Sequence, residues 1–133
     1  MIIQTPSVIE IRKSPVHGLG VFAKQKIHAG DIIEACPVIH IGLEIGVPSH
    51  ILIDYRFNYP QNAPPEQTSQ VVCAGYGMLY NHSNSANANW RSETDINCFI
   101  FYATKDIEVD EEIFVWYGDM SYWNDGRTHI EIK

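Results

Sequence analysis

An asparagine-rich stretch, "YNHSNSANANW" from Tyr80 to Trp90, carries the densest group of polar side chains that could do chemistry. Taken alone, Asn and Ser favour a turn, because their side chains bond to nearby backbone groups. The stretch follows the apolar run "GYGMLY", however, and an Asn and a His placed directly after a buried strand must find hydrogen-bond partners. Asn81 and His82 are therefore either turn residues or the wall of a pocket for a polar ligand.

A glycine pair, "GLGVFA" from Gly18 to Ala23, matches the GxGxxA spacing of a dinucleotide-binding loop. Such a loop must open a helix, whereas here β-branched residues and Gly30 follow, which argues against that function. Two glycines around Leu19 still indicate a local requirement. Either the backbone makes a tight turn, or a ligand lies against bare backbone.

Metal-binding and disulfide patterns are missing from the sequence. None of the His residues forms an HxxxH pair, so we expect no metal site. Cys36, Cys73 and Cys98 are odd in number and make no CxxC motif. We interpret them as small buried side chains in a reducing compartment.

Two further features have simple structural interpretations when taken singly. Tyr117 ends the apolar run "EEIFVWYG", where most tyrosines are core residues with a bonded hydroxyl. The acidic residues 110–112 before that run are interpreted as a solvated turn. A pair of carboxylates for acid–base catalysis is not excluded, because spacing in the sequence does not reveal pairs that meet only in the fold.

The elements that must position these residues are mostly β-strands. Segments such as "VIEIRK", "GVFA", "DIIEACPVIHIG" and "NCFIFYA" are short and β-branched or aromatic, and the last of them predicts a strand buried on both faces. Residues 60–70 carry Pro and no large apolar side chain, which predicts an exposed loop. We find no internal repeat and expect little helix.

Composition limits the functional classes. The 133 residues fit one domain, and a formal charge of −7 disfavours non-specific binding to nucleic acid or to an anionic membrane. A basic partner suits that charge. The N-terminus does not resemble a signal peptide, and no apolar run approaches the ~20 residues of a membrane span. We therefore expect a cytoplasmic protein, or one inside a host cell, in which a homodimer is compatible with the small domain.

Three blocks occur in a fixed order: "HGLGVFAKQKIHAGDIIE", "GYGMLYNHSNSANA" and "FYATKDIEVDEEIFVWYGDMSYW". This series resembles the SET-domain protein lysine methyltransferases, and among them the small free-standing SET proteins. The resemblance runs from about residue 9 to residue 123, with 124–133 as a tail, so residues 1–133 are predicted as a single SET domain. It implies a mostly β fold of several small sheets, with a knot-like crossing near the C-terminus and little helix.

The resemblance also implies a cofactor and a chemistry. The cofactor is S-adenosylmethionine (SAM), and the methyl acceptor is a lysine amine of a basic protein, with histone as the family's habitual substrate. Tyr117 matches the catalytic tyrosine. The residues matched to cofactor binding are Gly18, Leu19, Gly20, Asn81, His82, Trp123 and Tyr117 itself.

Candidate substrate-binding residues are Tyr55, Tyr76 and Trp116, of which Tyr55 is matched to an aromatic residue that lines the lysine channel. The chain departs from the family pattern at Ala86, where a Pro usually precedes the second Asn (here Asn87), and it lacks the C-terminal Cys cluster. An alternative is a catalytically inactive SET-like module that binds a basic peptide or SAM. The substrate protein, its lysine and the number of methyl groups added are not fixed by the sequence.

Overall fold

The computed structural model describes residues 6–40, 57–60, 67 and 69–117, and these residues are dominated by strands. No α-helix occurs among them, as the sequence predicts. The strands are β1 (Ile9–Lys13), β2 (Leu19–Ala23), β3 (Ile32–His40), β4 (Phe57–Tyr59), β5 (Ser69–Cys73), β6 (Asn81–His82), β7 (Ala88–Glu93), β8 (Cys98–Ala103) and β9 (Glu112–Val115).

The strands form two sheets, and the chain divides into two compact units. One sheet has the order β1-β2-β9-β6, and all of it belongs to the unit made of residues 6–33, 79–89 and 102–117, here called the site unit. The other sheet has the order β4-β5-β3-β8-β7. The second unit contains the described residues within 34–78 and 90–101.

An aromatic cluster forms the core of the second unit. Phe99 is fully buried, and its ring centroid lies 5.2 Å from that of Phe57 and 5.3 Å from that of Tyr59. Trp90 packs edge-on against Phe57 at 5.3 Å. Edge-to-face and tilted contacts of this kind stabilise aromatic pairs beyond the area that they bury. The prediction that β8 is buried on both faces is confirmed, because five of its six residues are buried.

The three cysteines also lie in this unit. Cys36, Cys73 and Cys98 are free and buried, which confirms their interpretation as small core residues. Burial raises the pKa of each thiol, so they stay protonated and unreactive at neutral pH. The described residues contain no helix that is long and apolar enough to cross a membrane, and no group of ligand side chains that could hold a metal ion.

The core of the site unit is aliphatic and lies along β2 and β9. Val21 pairs with Ile113 across the two antiparallel strands, and both side chains are fully buried. On the other side of β9, the short strand β6 runs parallel to it, with Asn81 opposite Phe114. A parallel neighbour requires a long connection, so residues distant in sequence are brought side by side.

Two turn segments in the site unit share one backbone pattern: residues 22–33, the N-terminal turn segment, and residues 102–113, the C-terminal turn segment. Equivalent residues in the two segments are 80 positions apart, and Ile27 and Ile107 are one such pair. These two residues bond to each other reciprocally, with N–H···O distances of 2.9 and 2.7 Å. This correspondence is confined to two short turns, and most of the side chains at equivalent positions differ, so it is a likeness of backbone and not a repeat of sequence.

Matching bonds surround this central pair. Gly30 N donates to Ala103 O at 2.8 Å, and Asp110 N donates to Ala23 O at 2.8 Å. Both donors have a left-handed backbone, with φ of 91° at Gly30 and 70° at Asp110. The two segments are thus related by a local pseudo-twofold arrangement, and the second leads directly into β9.

Several sequence predictions have clear outcomes here. The turn around His28, Ala29 and Gly30 is confirmed between β2 and β3. The loop predicted for residues 60–70 ends earlier, because β5 begins at Ser69, and residues 61–66 lie outside the described part of the chain. The knot-like crossing stays a prediction, because residues 118–133 are also outside it.

Candidate functional site

The glycine pair spans the start of β2, with Gly18 before the strand and Gly20 within it, and each glycine is required for a different reason. Gly18 has φ of 45°, and an added Cβ would meet no atom within 4 Å, so this position needs the left-handed conformation. Its carbonyl accepts a hydrogen bond from Ser14 N at 2.7 Å, which closes the turn. The dinucleotide-loop alternative is wrong, because a strand and not a helix follows the glycines.

Gly20 is required because two polar side chains pack against its Cα. A Cβ at this position would lie 3.0 Å from Glu112 Cδ and 3.1 Å from Asn81 Nδ2, and even closer to a Glu112 oxygen. Any larger residue would displace both side chains. The glycine motif therefore serves the contact between β2, β9 and β6.

Asn81 lies at the centre of this contact and is 6% exposed. Its Nδ2 lies 3.0 Å from His17 O, 3.2 Å from Leu19 O and 2.9 Å from Glu112 Oε2. All three neighbours are acceptors, so the amide can face them only with its nitrogen. Its Oδ1 accepts no bond from the described residues and stays available to a ligand.

Glu112 is buried, which corrects the prediction of a solvated acidic turn for this residue. The residue is 7% exposed, and its carboxylate accepts from Asn81 and from the Ser14 hydroxyl, whose Oγ lies 2.8 Å from Oε1 and 3.0 Å from Oε2. Asp110 and Glu111 are exposed, as predicted. Sequence reasoning missed Glu112 and Ser14, because their partners are 31 and 98 positions away and no local pattern marks them.

His82 orients the backbone at Tyr117. The imidazole is 2% exposed, and its Nδ1 accepts a hydrogen bond from Tyr117 N at 2.8 Å. Nδ1 must therefore be unprotonated, which places the ring hydrogen on Nε2, 3.2 Å from Asn84 Oδ1. Burial lowers the pKa of His82, and the bond to Asn84 only partly opposes this. The neutral ring that the geometry requires is thus also the favoured form at neutral pH.

Tyr117 is fixed at both ends. Besides the backbone bond to His82, its hydroxyl donates to Tyr80 O at 2.5 Å, and its ring lies 5.2 Å from the His82 ring. Tyr80 is buried and immediately precedes Asn81, so one short segment orients both the amide and the phenol. Sequence reasoning did not identify this role of Tyr80, because a backbone carbonyl leaves no residue-type signal.

Asn87 pairs with a strand and not with the turn around it. Its Oδ1 accepts from Phe114 N at 2.8 Å, and its Nδ2 donates to Glu112 O at 3.0 Å. The side-chain amide thus replaces a neighbouring peptide group along β9. The asparagine-rich stretch is therefore partly a strand and partly a turn, and Asn87 in it bonds to the backbone of β9.

The other predicted site residues are placed as follows. Trp116 is 52% exposed and adjoins Tyr117 in the site unit. Leu19 is 54% exposed, while its carbonyl accepts from Asn81. Tyr76 belongs to the second unit. Tyr55 and Trp123 lie outside the described residues. The structure thus brings together the glycine turn, Asn81, His82 and Tyr117.

Comparison with known proteins gives consistent matches over most of the chain. A sequence profile described as the SET domain matches residues 18–118. A Schizosaccharomyces pombe protein named histone-lysine N-methyltransferase, H3 lysine-37 specific, is 28% identical over 123 residues, which is 90% of this chain and 79% of that protein. The profile and this relative support protein lysine methyl transfer as the class of activity.

Solved structures give the same fold. A Plasmodium falciparum protein, provisionally described as a histone methyltransferase, has a TM-score of 0.65 and 34% identity, and the match covers 92% of this chain and all (100%) of that one. The structure of ctPRC2 with H3K27me3 and H3K27M has a TM-score of 0.65 at 24% identity, over 87% of this chain and 15% of that one. CpSET8 from Cryptosporidium has a TM-score of 0.63 at 20% identity, over 86% and 59%.

The last two structures support the fold alone, because their identity to this chain is low. The profile match covers most of the chain, and the resemblance inferred from the three sequence blocks is confirmed. This chain belongs to the SET domain family.

Proposed function

We propose that this protein transfers a methyl group from SAM to the side-chain amine of a protein lysine. The observation that carries the proposal is the placement of Tyr117, whose backbone and hydroxyl are both bonded to the segment that contains Asn81 and His82. A phenol fixed in this way suits a reaction that depends on orientation. Well-oriented reactants can gain about 7–11 kcal/mol of the barrier.

The residues around the glycine turn fit the methyl donor. SAM is a zwitterionic amino acid joined to an adenosine, and when bound it supplies a methyl group on a sulfonium. Gly18 offers bare backbone with open space beside it, and the free Asn81 Oδ1 is an acceptor suited to an ammonium group. We propose that Gly18, Leu19, Gly20, Asn81 and His82 bind the donor, together with Trp123.

The hydrogen-bond state of Tyr117 defines its part in the chemistry. Its single proton is donated to Tyr80 O, so the phenol oxygen can only accept from a further partner. An acceptor beside the incoming amine binds an N–H of that amine and thereby aims the nitrogen lone pair. Tyr117 would thus orient the nucleophile and need not remove its proton.

The amine must lose its proton before it can react, because a charged lysine has no lone pair. Its reference pKa of about 10.4 is lowered by desolvation and by a nearby positive charge. A channel lined with aromatic side chains beside the donor would provide both effects. Trp116 is the candidate for that channel among the described residues of the site unit, and water can carry the proton away.

The substrate is proposed to be a basic protein segment, with histone as the first candidate. The chain carries a formal charge of −7, which favours approach of a Lys-rich peptide and weakens with added salt. The Schizosaccharomyces pombe relative, whose name specifies H3 lysine-37, supports histone H3 as the first substrate to try.

Calorimetric titration with SAM tests the proposal without any assumption about the acceptor. We expect Asn81→Ala to lose at least about tenfold in affinity, because it removes an acceptor for a charged group. Asn89→Ala, at an exposed asparagine, is the matched control and should bind normally. Failure of the folded wild-type protein to bind SAM would contradict the proposal.

Methyl transfer to histone H3 then tests the role of Tyr117. Tyr117→Phe keeps the ring and removes the oxygen that orients the amine, so we expect a rate loss of about 100-fold with little change in SAM affinity. A variant as fast as the wild type would exclude this role. SAM binding without transfer to any basic protein would instead favour the inactive-module alternative.

A further inference from the structure

Glu112 is unusual among the acidic side chains of the site unit, because it is buried without a cationic partner in the described part of the chain. Its neighbours, the hydroxyl of Ser14 and the amide of Asn81, are neutral donors. Burial of a carboxylate costs desolvation, and neutral donors offset that cost less fully than a cationic partner would. This suggests that the carboxylate has a role beyond packing.

The carboxylate is one of three acceptors that together determine which way the Asn81 amide faces. Two carbonyls, of His17 and Leu19, and the Glu112 oxygen surround Nδ2, so a flipped amide would place Oδ1 against three acceptors. Ser14 fixes the carboxylate from the other side, with its hydroxyl within 3.0 Å of both oxygens. Bare backbone at Gly20 leaves room for this arrangement.

We infer that Glu112 is a positioning residue for the ammonium group of the methyl donor, acting through Asn81. The inference rests on the proposed function. The Glu112 carboxylate accepts from Nδ2, which fixes Oδ1 toward the ligand and makes it a stronger acceptor, because hydrogen bonds in a chain polarise one another. A buried negative charge is thereby felt by the ammonium without contact between the two. Ser14 completes the chain as the group that orients the carboxylate.

The test compares two ligands on matched variants. SAM carries the ammonium, whereas 5′-methylthioadenosine has the same adenosine and a thioether but no amino-acid group. Glu112→Gln keeps the shape of the side chain and removes its charge. We expect it to lower SAM affinity about tenfold while leaving 5′-methylthioadenosine affinity unchanged, since charge-assisted hydrogen bonds are roughly twice as strong as neutral ones. Glu111→Gln removes the adjacent exposed charge and should change neither affinity.

A merely structural role for Glu112 would weaken both ligands equally, so the ratio of the two affinities is the decisive quantity. An unchanged ratio in Glu112→Gln, with wild-type SAM binding intact, overturns this inference and leaves the proposed function standing. Failure of the wild type to bind SAM overturns both.

Ser14→Ala provides a second variant in case Glu112→Gln does not fold. It retains the charge and removes the hydroxyl that orients it, so we expect a smaller loss, about threefold, again for SAM only. Thermal unfolding of each variant establishes that the comparison is made on folded protein. Equal binding of SAM by Ser14→Ala and the wild type would argue against the positioning chain.

Discussion

Ile32 and Glu112 occupy equivalent positions in the two turn segments, yet Ile32 is 58% exposed and Glu112 is 7% exposed. Both follow a left-handed turn residue by two positions, Gly30 in one segment and Asp110 in the other. Glu112 pairs with β2 and reaches Ser14 and Asn81, whereas Ile32 begins β3. The two segments thus share a backbone conformation but differ in role. The N-terminal turn segment only leads into a strand at this position, whereas the C-terminal turn segment places a side chain in the candidate site.

The shared framework is tested by its two central isoleucines. Ile27 and Ile107 are both buried and bond to each other through their backbones. We expect Ile27→Ala and Ile107→Ala each to lower the free energy of unfolding by about 3 kcal/mol, because each leaves a cavity in the same core. Chemical denaturation measures this, with exposed Val109→Ala as the control, which should change stability by less than about 0.5 kcal/mol.

Equal losses would establish that the segments are equivalent as scaffolds. A large loss of stability in only one of the two variants would contradict this equivalence. It would mean that the two segments share hydrogen bonds but do not pack in the same way.

Exchange of residue types between positions 32 and 112 tests the difference between the two segments. Glu112→Ile removes an acceptor from Ser14 and Asn81 and places a branched side chain near Gly20, so we expect a loss of about 2 kcal/mol in stability. Ile32→Glu puts a charge at an exposed position and should cost less than about 0.5 kcal/mol. Chemical denaturation of both variants measures the two losses in the free energy of unfolding. Equal losses would contradict the conclusion that only the C-terminal turn segment carries buried polar contacts at this position.

The sequence predicts the strands and the motif residues well, because both follow from local chemistry. Alternation and β-branching mark β1 and β2, and an unbroken apolar run marks β8. The order of three short blocks was enough to identify the family. Glycine also carries information of its own, because Gly18 requires a conformation that other residues rarely adopt.

The buried bonds of the site could not be predicted in the same way. Glu112 lies in an acidic run whose other members are exposed, so residue type alone suggests solvation. Its burial depends on β2 and β6 lying on either side of β9, which is a property of the assembled sheet. The pseudo-twofold arrangement was missed for a related reason, because it is a relation between backbone hydrogen bonds, and most of the side chains at equivalent positions differ.

The C-terminal turn segment also leads to a pH-sensitive contact, since β9 delivers Tyr117 N to His82 Nδ1. Burial lowers the pKa of His82, so below the reference value of about 6.5 the unfolded chain binds a proton that the folded protein resists. Stability from this residue is therefore complete above that pH and is lost as the pH falls toward the lowered value.

Denaturation between about pH 7.5 and about pH 5.5 measures this loss in the wild type and in His82→Gln, which accepts a hydrogen bond but does not titrate. We expect the wild type to lose more stability over the range than the variant. An identical slope would show that the backbone of Tyr117 does not depend on a neutral His82.

The smallest effects concern Gly30 and Asp110, which share a left-handed backbone despite their different types. Gly30→Ala should cost about 1 kcal/mol, because Ala is strained at positive φ, while Gly30→Asp should cost less, because Asp tolerates that region better. Asp110→Gly should stay within about 0.5 kcal/mol of the wild type, as relief of backbone strain is offset by added chain entropy and by loss of the exposed ion pair with Arg12. Thermal unfolding of the three variants provides the order. If Asp110→Gly were instead strongly destabilising, the ion pair with Arg12 would be an essential brace of β1, and the two turns would differ in energetics as well as in chemistry.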